Sequence, residues 1–384
     1  MTTDATLQRT RPDLGPYEDI EAAAVRTTGL TDFGGTDHEE GLRLLAEDLA
    51  SHAGLTPVGF YQQRQMFKST LVSRLLSQQG FAAHPDHADV RIERPIFVTG
   101  LPRTGTTALH RLLTADPTHQ GLELWLTEVP QPRPPRETWD TDPIYQALDG
   151  AYRAHREANP DFSGIHYSDA AEVEECWRLL RQSGLSVGFE SLADIPNYAA
   201  WLEKQDWTPA YARHKQNLQL IGLNDADKRW VLKNPSHLVG IDAILAVYPD
   251  ACIVRTTRDV VTSVASACSL SAAATEGWST TFVGPRIGAT QLDLLEREVR
   301  AYERDRGRHD PSHFLDVDYD AFIADPVGTT RGIYETFGLD WNADVAEAVT
   351  AADAASRTGA RKSSHRYDLA DYGLTEADVR DRLT

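Results

Sequence analysis

The chain has 384 residues, 41% of them hydrophobic and 25% charged, which suits one large α/β domain with elaborations and supplies a sizeable core. Its formal net charge of −19 excludes a general affinity for nucleic acid or an anionic membrane, so any polyanionic ligand must meet a local cluster of basic residues. The longest apolar runs, such as Ile96-Phe97-Val98 and Cys252-Ile253-Val254, fall far short of a membrane span, and the scattered Cys176, Cys252 and Cys268 form no CxxC pair and read as free thiols of a cytoplasmic protein.

In chain order, Met1 to Gly15 is polar and lacks an apolar signal core. Residues 1–16 are expected to be a disordered tail, and 17–384 a single domain with its first anchor near Tyr17. A helical part follows over 17–90, where Leu42, Leu45, Leu49, Phe67, Leu71 and Leu75 recur at helical spacing across a break at Gly54 to Gly59. Pro95 to Gly100 reads as a strand and Thr106 to Thr114 as a helix, the opening of an α/β unit. The run Pro130, Pro132, Pro134 and Pro135 reads as a loop. Helical patterns over Ala171 to Leu185 and Tyr198 to Leu223 belong to a helical cap inserted at 145–225. Beyond the cap, Arg229 to Lys233, Ala251 to Thr256 and Phe314 to Val317 read as strands. Leu238 to Tyr248, Val260 to Leu270 and Pro326 to Phe337 read as helices. Alternating strands and helices predict an α/β fold: a central, mostly parallel sheet with flanking helices, in three layers.

The loop Gly100-Leu-Pro-Arg-Thr-Gly-Thr-Thr107 joins the first strand to its helix. Glycines turn the backbone inward, the helix N-terminus adds partial positive charge, and Thr104, Thr106 and Thr107 add hydroxyls, which together make an anion cradle. A Gly/Pro turn capping a helix is the plainer reading of such a loop, but it does not explain an arginine and three threonines in the same turn. Gly100 and Gly105 have the spacing of a triphosphate-binding loop, but Thr106 stands where that loop has lysine, and the cation is Arg103. This argues against a kinase, which would also need an aspartate for magnesium after a later strand.

Pro102-Arg-Thr-Gly-Thr-Thr107 resembles the 5'-phosphosulfate loop of the sulfotransferases that use 3'-phosphoadenosine-5'-phosphosulfate (PAPS), the bacterial branch most closely. A second segment, Tyr248-Pro-Asp-Ala-Cys-Ile-Val-Arg-Thr-Thr-Arg258 and on to Ser266, resembles that family's 3'-phosphate strand and helix, with Val260 where many relatives have proline. Trp230-Val-Leu-Lys-Asn-Pro-Ser-His237 and the basic knot Arg361-Lys-Ser-Ser-His-Arg-Tyr367 match two further family motifs, and Glu174-Glu-Cys-Trp177 also looks like this branch.

The resemblance implies a P-loop-like fold. It also implies in-line transfer of a sulfuryl group from PAPS to the hydroxyl of a small-molecule acceptor, leaving PAP, with no metal. Arg103, Thr104, Gly105, Thr106 and Thr107 would hold the 5'-phosphosulfate, and Arg258, Ser266, Arg361 and Lys362 the 3'-phosphate. Arg103 and Lys233 would supply charge to the moving group. For the base that takes the hydroxyl proton, Glu123 ranks first and His237 second, with Glu128 and His166 as further options. A non-catalytic homologue that only binds PAPS or PAP is the remaining alternative. Trp139, Tyr145, Phe162, Tyr167, Trp278 and Phe282 are expected to line an aromatic acceptor chamber between the cap and the loop Ala272 to Gly288.

Overall fold

Ile96-Phe97-Val98-Thr99 is buried at every position, as a strand enclosed on both faces must be. In the computed structural model, which describes residues 14–160, 167–358 and 368–384, this strand is the centre of a five-stranded sheet. The strands are β1 (Ile96–Thr99), β2 (His119–Gln120), β3 (Arg229–Lys233), β4 (Cys252–Thr257) and β5 (Phe314–Asp318), in the order β2-β3-β1-β4-β5. Every pairing is parallel, with Val98 opposite both Lys233 and Val254.

The two-residue alternation of a strand divides the core. Ile96 and Val98 pack on one face with the helices Thr106–Thr114 (α4) and Pro326–Phe337 (α14). Phe97 joins the larger cluster on the other face, which runs from Leu14 to Leu383. That cluster gathers α1 (Tyr17–Thr28), α2 (Glu39–Ser51) and α3 (Pro57–Ala83) from the N-terminal part. It also takes α9 (Thr208–Ile221) and the long α12 (Pro285–Arg306). Leu14 is 1% exposed and joins this core three residues before Tyr17.

Several expected helices are different here. Over Ala171 to Leu185, only Trp177–Leu180 (α7) is α-helical, with a 3-10 turn at Arg181–Ser183. The residues before it are turns around one antiparallel bridge, Glu123 with Val173. Leu124 N–H donates to Glu172 O, Glu174 N–H to Leu122 O, and Cys176 N–H to Lys233 O. Their backbone groups are thus satisfied across the sheet edge rather than along a helix. The pattern over Tyr198 to Leu223 is two helices, α8 (Pro196–Leu202) and α9, parted at Glu203 to Trp207 before Pro209. The loop expected at Ala272 to Gly288 shrinks to 275–284, because α11 (Val260–Ala274) continues to Ala274 and α12 begins at Pro285.

Trp139 and Tyr145 pack edge-on against Trp125 and are buried, as is Phe282, so these three are core rather than chamber lining. Tyr167 is 38% exposed, with the Arg156 guanidinium over its ring. Phe162, His166, Arg361 and Lys362 lie outside the described residues.

Candidate active site

The chain leaves β1, passes through the loop 100–105, and returns later to place β3 and β4 on either side of β1. The C-terminal ends of three adjacent strands therefore share one edge, where the strand order reverses and open α/β sheets bind ligands. Gly100 has φ +134, and a Cβ there would lie 2.3 Å from Thr256 O, so only glycine lets the loop cross the end of β4. Arg103 takes φ +70, a left-handed conformation that costs a non-glycine residue about 1–2 kcal/mol and collects at functional sites.

Thr104 ties the loop down. Its hydroxyl donates to Leu101 O at 2.7 Å and meets Thr256 Oγ1 at 2.6 Å, and the side chain is 1% exposed. The threonine expected to reach the ligand through its hydroxyl therefore braces the loop instead, leaving its backbone N–H as its contribution. Gly105, at φ +94, is the N-cap of α4 and offers no side-chain cap to the first-turn amides. The hydroxyls of Thr106 and Thr107 bond to no described residue. An uncapped helix start with free hydroxyls is a ready anion site.

Arg258 follows the end of β4. Its Nη1 donates to Arg103 O at 3.2 Å, and its guanidinium lies 4.1 Å from the centre of the Tyr319 ring. Neither Arg103 nor Arg258 makes an ion pair with a described residue, and the nearby acids are engaged elsewhere. Asp259 pairs with Arg380 at 3.1 Å, and Asp250 accepts from the backbone N–H of Arg94. Ser266 lies on α11, the helix that follows Arg258, and is 4% exposed. The C-terminal helix Glu376–Leu383 (α16) packs on the same helix, so the residues beyond the basic knot dock beside this site.

Lys233 ends β3, opposite Val98, and its Nζ sits 2.6 Å from Glu175 Oε1. Thr99 Oγ1 donates to Pro235 O and Asn234 N–H to Val98 O, which locks the turn after β3 to the base of the loop. The structure thus brings Arg103, Thr104, Gly105, Thr106, Thr107, Arg258 and Lys233 to one edge.

Glu123 and His237 are engaged elsewhere. Glu123 precedes α5 (Leu124–Glu128) and pairs with Arg133 at 3.0 Å, making no contact with Lys233, Arg103 or Arg258. Burial raises its carboxyl above the usual range, with Arg133 opposing. Arg133 also holds Asp225 and Gln120, pinning the proline-rich loop to the sheet edge. His237 is fully buried. Its Nδ1 meets Tyr211 Oη at 2.7 Å, its ring packs edge-on to Phe97, and burial, aided by His214 and Lys233, holds the imidazole neutral. It is a core histidine, not a group that an acceptor can reach. Glu128 is tied to Arg178 at 2.5 Å and Arg181 at 3.3 Å; burial pushes its carboxyl up, but the two arginines outweigh this and hold it below the usual range. Two residues were missed in the sequence. Tyr319 carried no visible signal, whereas Glu175 stands within the quoted Glu174-Glu-Cys-Trp177 motif.

A glycine-hinged loop at a switch point, an open helix start and two arginines without an ion-pair partner among the described residues make an α/β edge suited to a polyanion. The chain belongs to the sulfotransferase family of enzymes, whose sequence pattern matches residues 95–343. The omega-hydroxy-beta-dihydromenaquinone-9 sulfotransferase Stf3 of Mycobacterium bovis is 29% identical over 260 residues, covering 64% of this chain and 63% of the relative. The chain thus spans just under two thirds of that relative's length. The crystal structure of sulfotransferase STF1 from Mycobacterium tuberculosis H37Rv superposes with a TM-score of 0.91 at 51% identity, over 97% of this chain and 99% of the other. Sulfotransferase STF9 from Mycobacterium avium gives a TM-score of 0.86 at 27% identity, over 99% of this chain and 96% of the other.

Proposed function

We propose that this chain transfers a sulfuryl group from PAPS to the hydroxyl of a small-molecule acceptor. The observation that carries the reading is the joined pair of arginines, Arg103 and Arg258, without a carboxylate partner among the described residues in a chain of net charge −19. Family membership makes a sulfuryl donor the polyanion to expect. The residues fit one: glycines 100 and 105 allow close backbone approach, and the start of α4 is open.

The N–H groups of the loop and of α4, with Arg103, Thr106 and Thr107, would hold the 5'-phosphosulfate. Arg258 and Ser266 would hold the 3'-phosphate, with Arg361 and Lys362 expected to join them. When bound, PAPS supplies an activated sulfuryl group on a phosphate leaving group. Arg103 and Lys233 neutralise the charge that spreads over the moving oxygens and the departing phosphate, which lowers the barrier by electrostatic preorganisation. Among the described residues, no group of three or more His, Cys, Asp or Glu side chains could hold a metal ion.

The printed name of Stf3 assigns that relative a hydroxylated quinone, and a hydroxyl on a small apolar molecule is the acceptor class we propose here. No helix among the described residues is long and apolar enough to cross a membrane. The three buried, free cysteines suit a reducing compartment, and we place the reaction in the cytoplasm.

Calorimetric titration with 3',5'-ADP, without metal, tests the donor site. Binding by the unaltered protein and its loss in Arg258→Ala supports the reading. Absence of binding, with ATP and magnesium binding instead, would return the chain to phosphoryl transfer.

A further inference from the structure

We infer that Glu175 is the general base of the reaction; this rests on the sulfotransferase reading above. Its carboxylate contacts Lys233 Nζ at 2.6 Å, at the strand end next to the anion loop. The side chain is 21% exposed, so an acceptor can reach it, whereas Lys233 is only 4% exposed. Its position is fixed from both sides. Cys176 N–H donates to Lys233 O at 2.9 Å, and Glu175 N–H donates to Glu174 Oε1 at 2.9 Å. The carboxylate faces the Lys233 ammonium, with Glu174 and the Cys176 thiol as its neighbours along the chain.

The other acids near this edge have different work. Glu123 answers Arg133, and Glu128 answers Arg178 and Arg181. Glu174 is 7% exposed and spends an oxygen on the Glu175 backbone. Glu175 contacts a cation that would touch the moving group, whereas Glu123 and Glu128 answer arginines away from it. An acceptor hydroxyl approaching a sulfuryl group held by Lys233 meets Glu175 on the way.

The step balances without a further reagent. The acceptor oxygen bonds to sulfur, and the hydroxyl proton passes to a Glu175 carboxylate oxygen. The bond from sulfur to the bridging phosphate oxygen breaks, and its electron pair leaves on the 3',5'-bisphosphate. Glu175 then returns its proton to solvent.

The test compares two acceptors of opposite acidity. A long-chain primary alcohol (decanol) must lose its proton during transfer, whereas p-nitrophenolate, ionised in mildly alkaline buffer, has none to lose. Glu175→Gln is expected to slow transfer to decanol by about 100-fold or more, the usual share of general-base catalysis. Transfer to p-nitrophenolate should stay within about threefold of the unaltered protein, because no base is needed there. Glu175→Asp should recover part of the decanol rate, and the melting temperature of each variant shows that it is folded. Equal losses with both acceptors would mean that Glu175 only positions Lys233, and an unchanged decanol rate would put the base elsewhere; either result overturns the inference. The 3',5'-ADP titration reads the donor site separately. If the unaltered protein does not bind it, the sulfotransferase reading fails first and takes this inference with it.

Discussion

The guanidinium of Arg258 lies 4.1 Å from the centre of the Tyr319 ring, and the same ring stands 3.0 Å from where a Cβ on Gly105 would fall. Tyr319, the first residue after β5, therefore shapes the anion loop and aims the arginine above it. A cation over an aromatic face contributes about 0.5–2 kcal/mol. Tyr319→Leu is expected to weaken 3',5'-ADP binding by about 3–30-fold through lost orientation, while Arg258→Ala abolishes it. Calorimetry on both variants separates aim from charge.

Glu123 and Arg133 form a structural pair. Glu123→Gln keeps a hydrogen-bond acceptor for Arg133 and is expected to leave transfer to decanol within about threefold of the unaltered rate, unlike Glu175→Gln. Arg133→Ala strands Glu123, while Asp225 keeps its pair with Lys228. It should cost about 3–5 kcal/mol of stability, seen as a lower denaturant midpoint. Should Glu123→Gln instead lose the alcohol reaction selectively, the base would be Glu123.

Glu298 is 2% exposed on α12 and takes a hydrogen bond from Ser236, in the turn that follows Lys233. Burial lifts its carboxyl from an ordinary 4.5 to about 7, with Ser236 and Arg297 opposing and Glu190 adding to the rise. A carboxyl raised in the folded state contributes stability that is complete below its unfolded value and lost as pH climbs through its folded one. The protein should therefore lose on the order of 3 kcal/mol between about pH 4.5 and slightly above 7 through this group. Glu298→Gln is expected to flatten that slope and to raise the melting temperature on the alkaline side of neutrality. An unchanged slope in the variant would assign the effect to other groups.

β1 and β3 were legible because each is a brief, largely apolar run closed by a turn with Gly or Pro, whereas the two-residue β2 was not read. Arg229–Lys233 begins and ends where the sequence places it, and so does α4. The long α12 was not read as a helix, because it opens on Pro285 and Gly288, which look like loop. Its apolar stripe of Leu292, Leu295, Val299 and Tyr302 begins only after that opening. In the site, the residues proposed to hold the 5'-phosphosulfate were readable because loop, helix start and Arg103 lie within a few positions. The proposed base was not. Glu175 and Lys233 are 58 residues apart along the chain, and the tertiary fold, including the backbone bond from Cys176 to Lys233, brings them together. Glu123 sat at a plausible distance along the chain, but Arg133 claims it.

The two unpaired arginines have a kinetic consequence. A polyanionic donor approaching a body of charge −19 meets repulsion from far away and attraction only once it nears Arg103 and Arg258. Salt screens the long-range term beyond a Debye length of about 8 Å and leaves the contact term largely intact. Capture of the donor is thus gated by the ionic strength of its surroundings, and faster at the salt of a living cell than in dilute buffer.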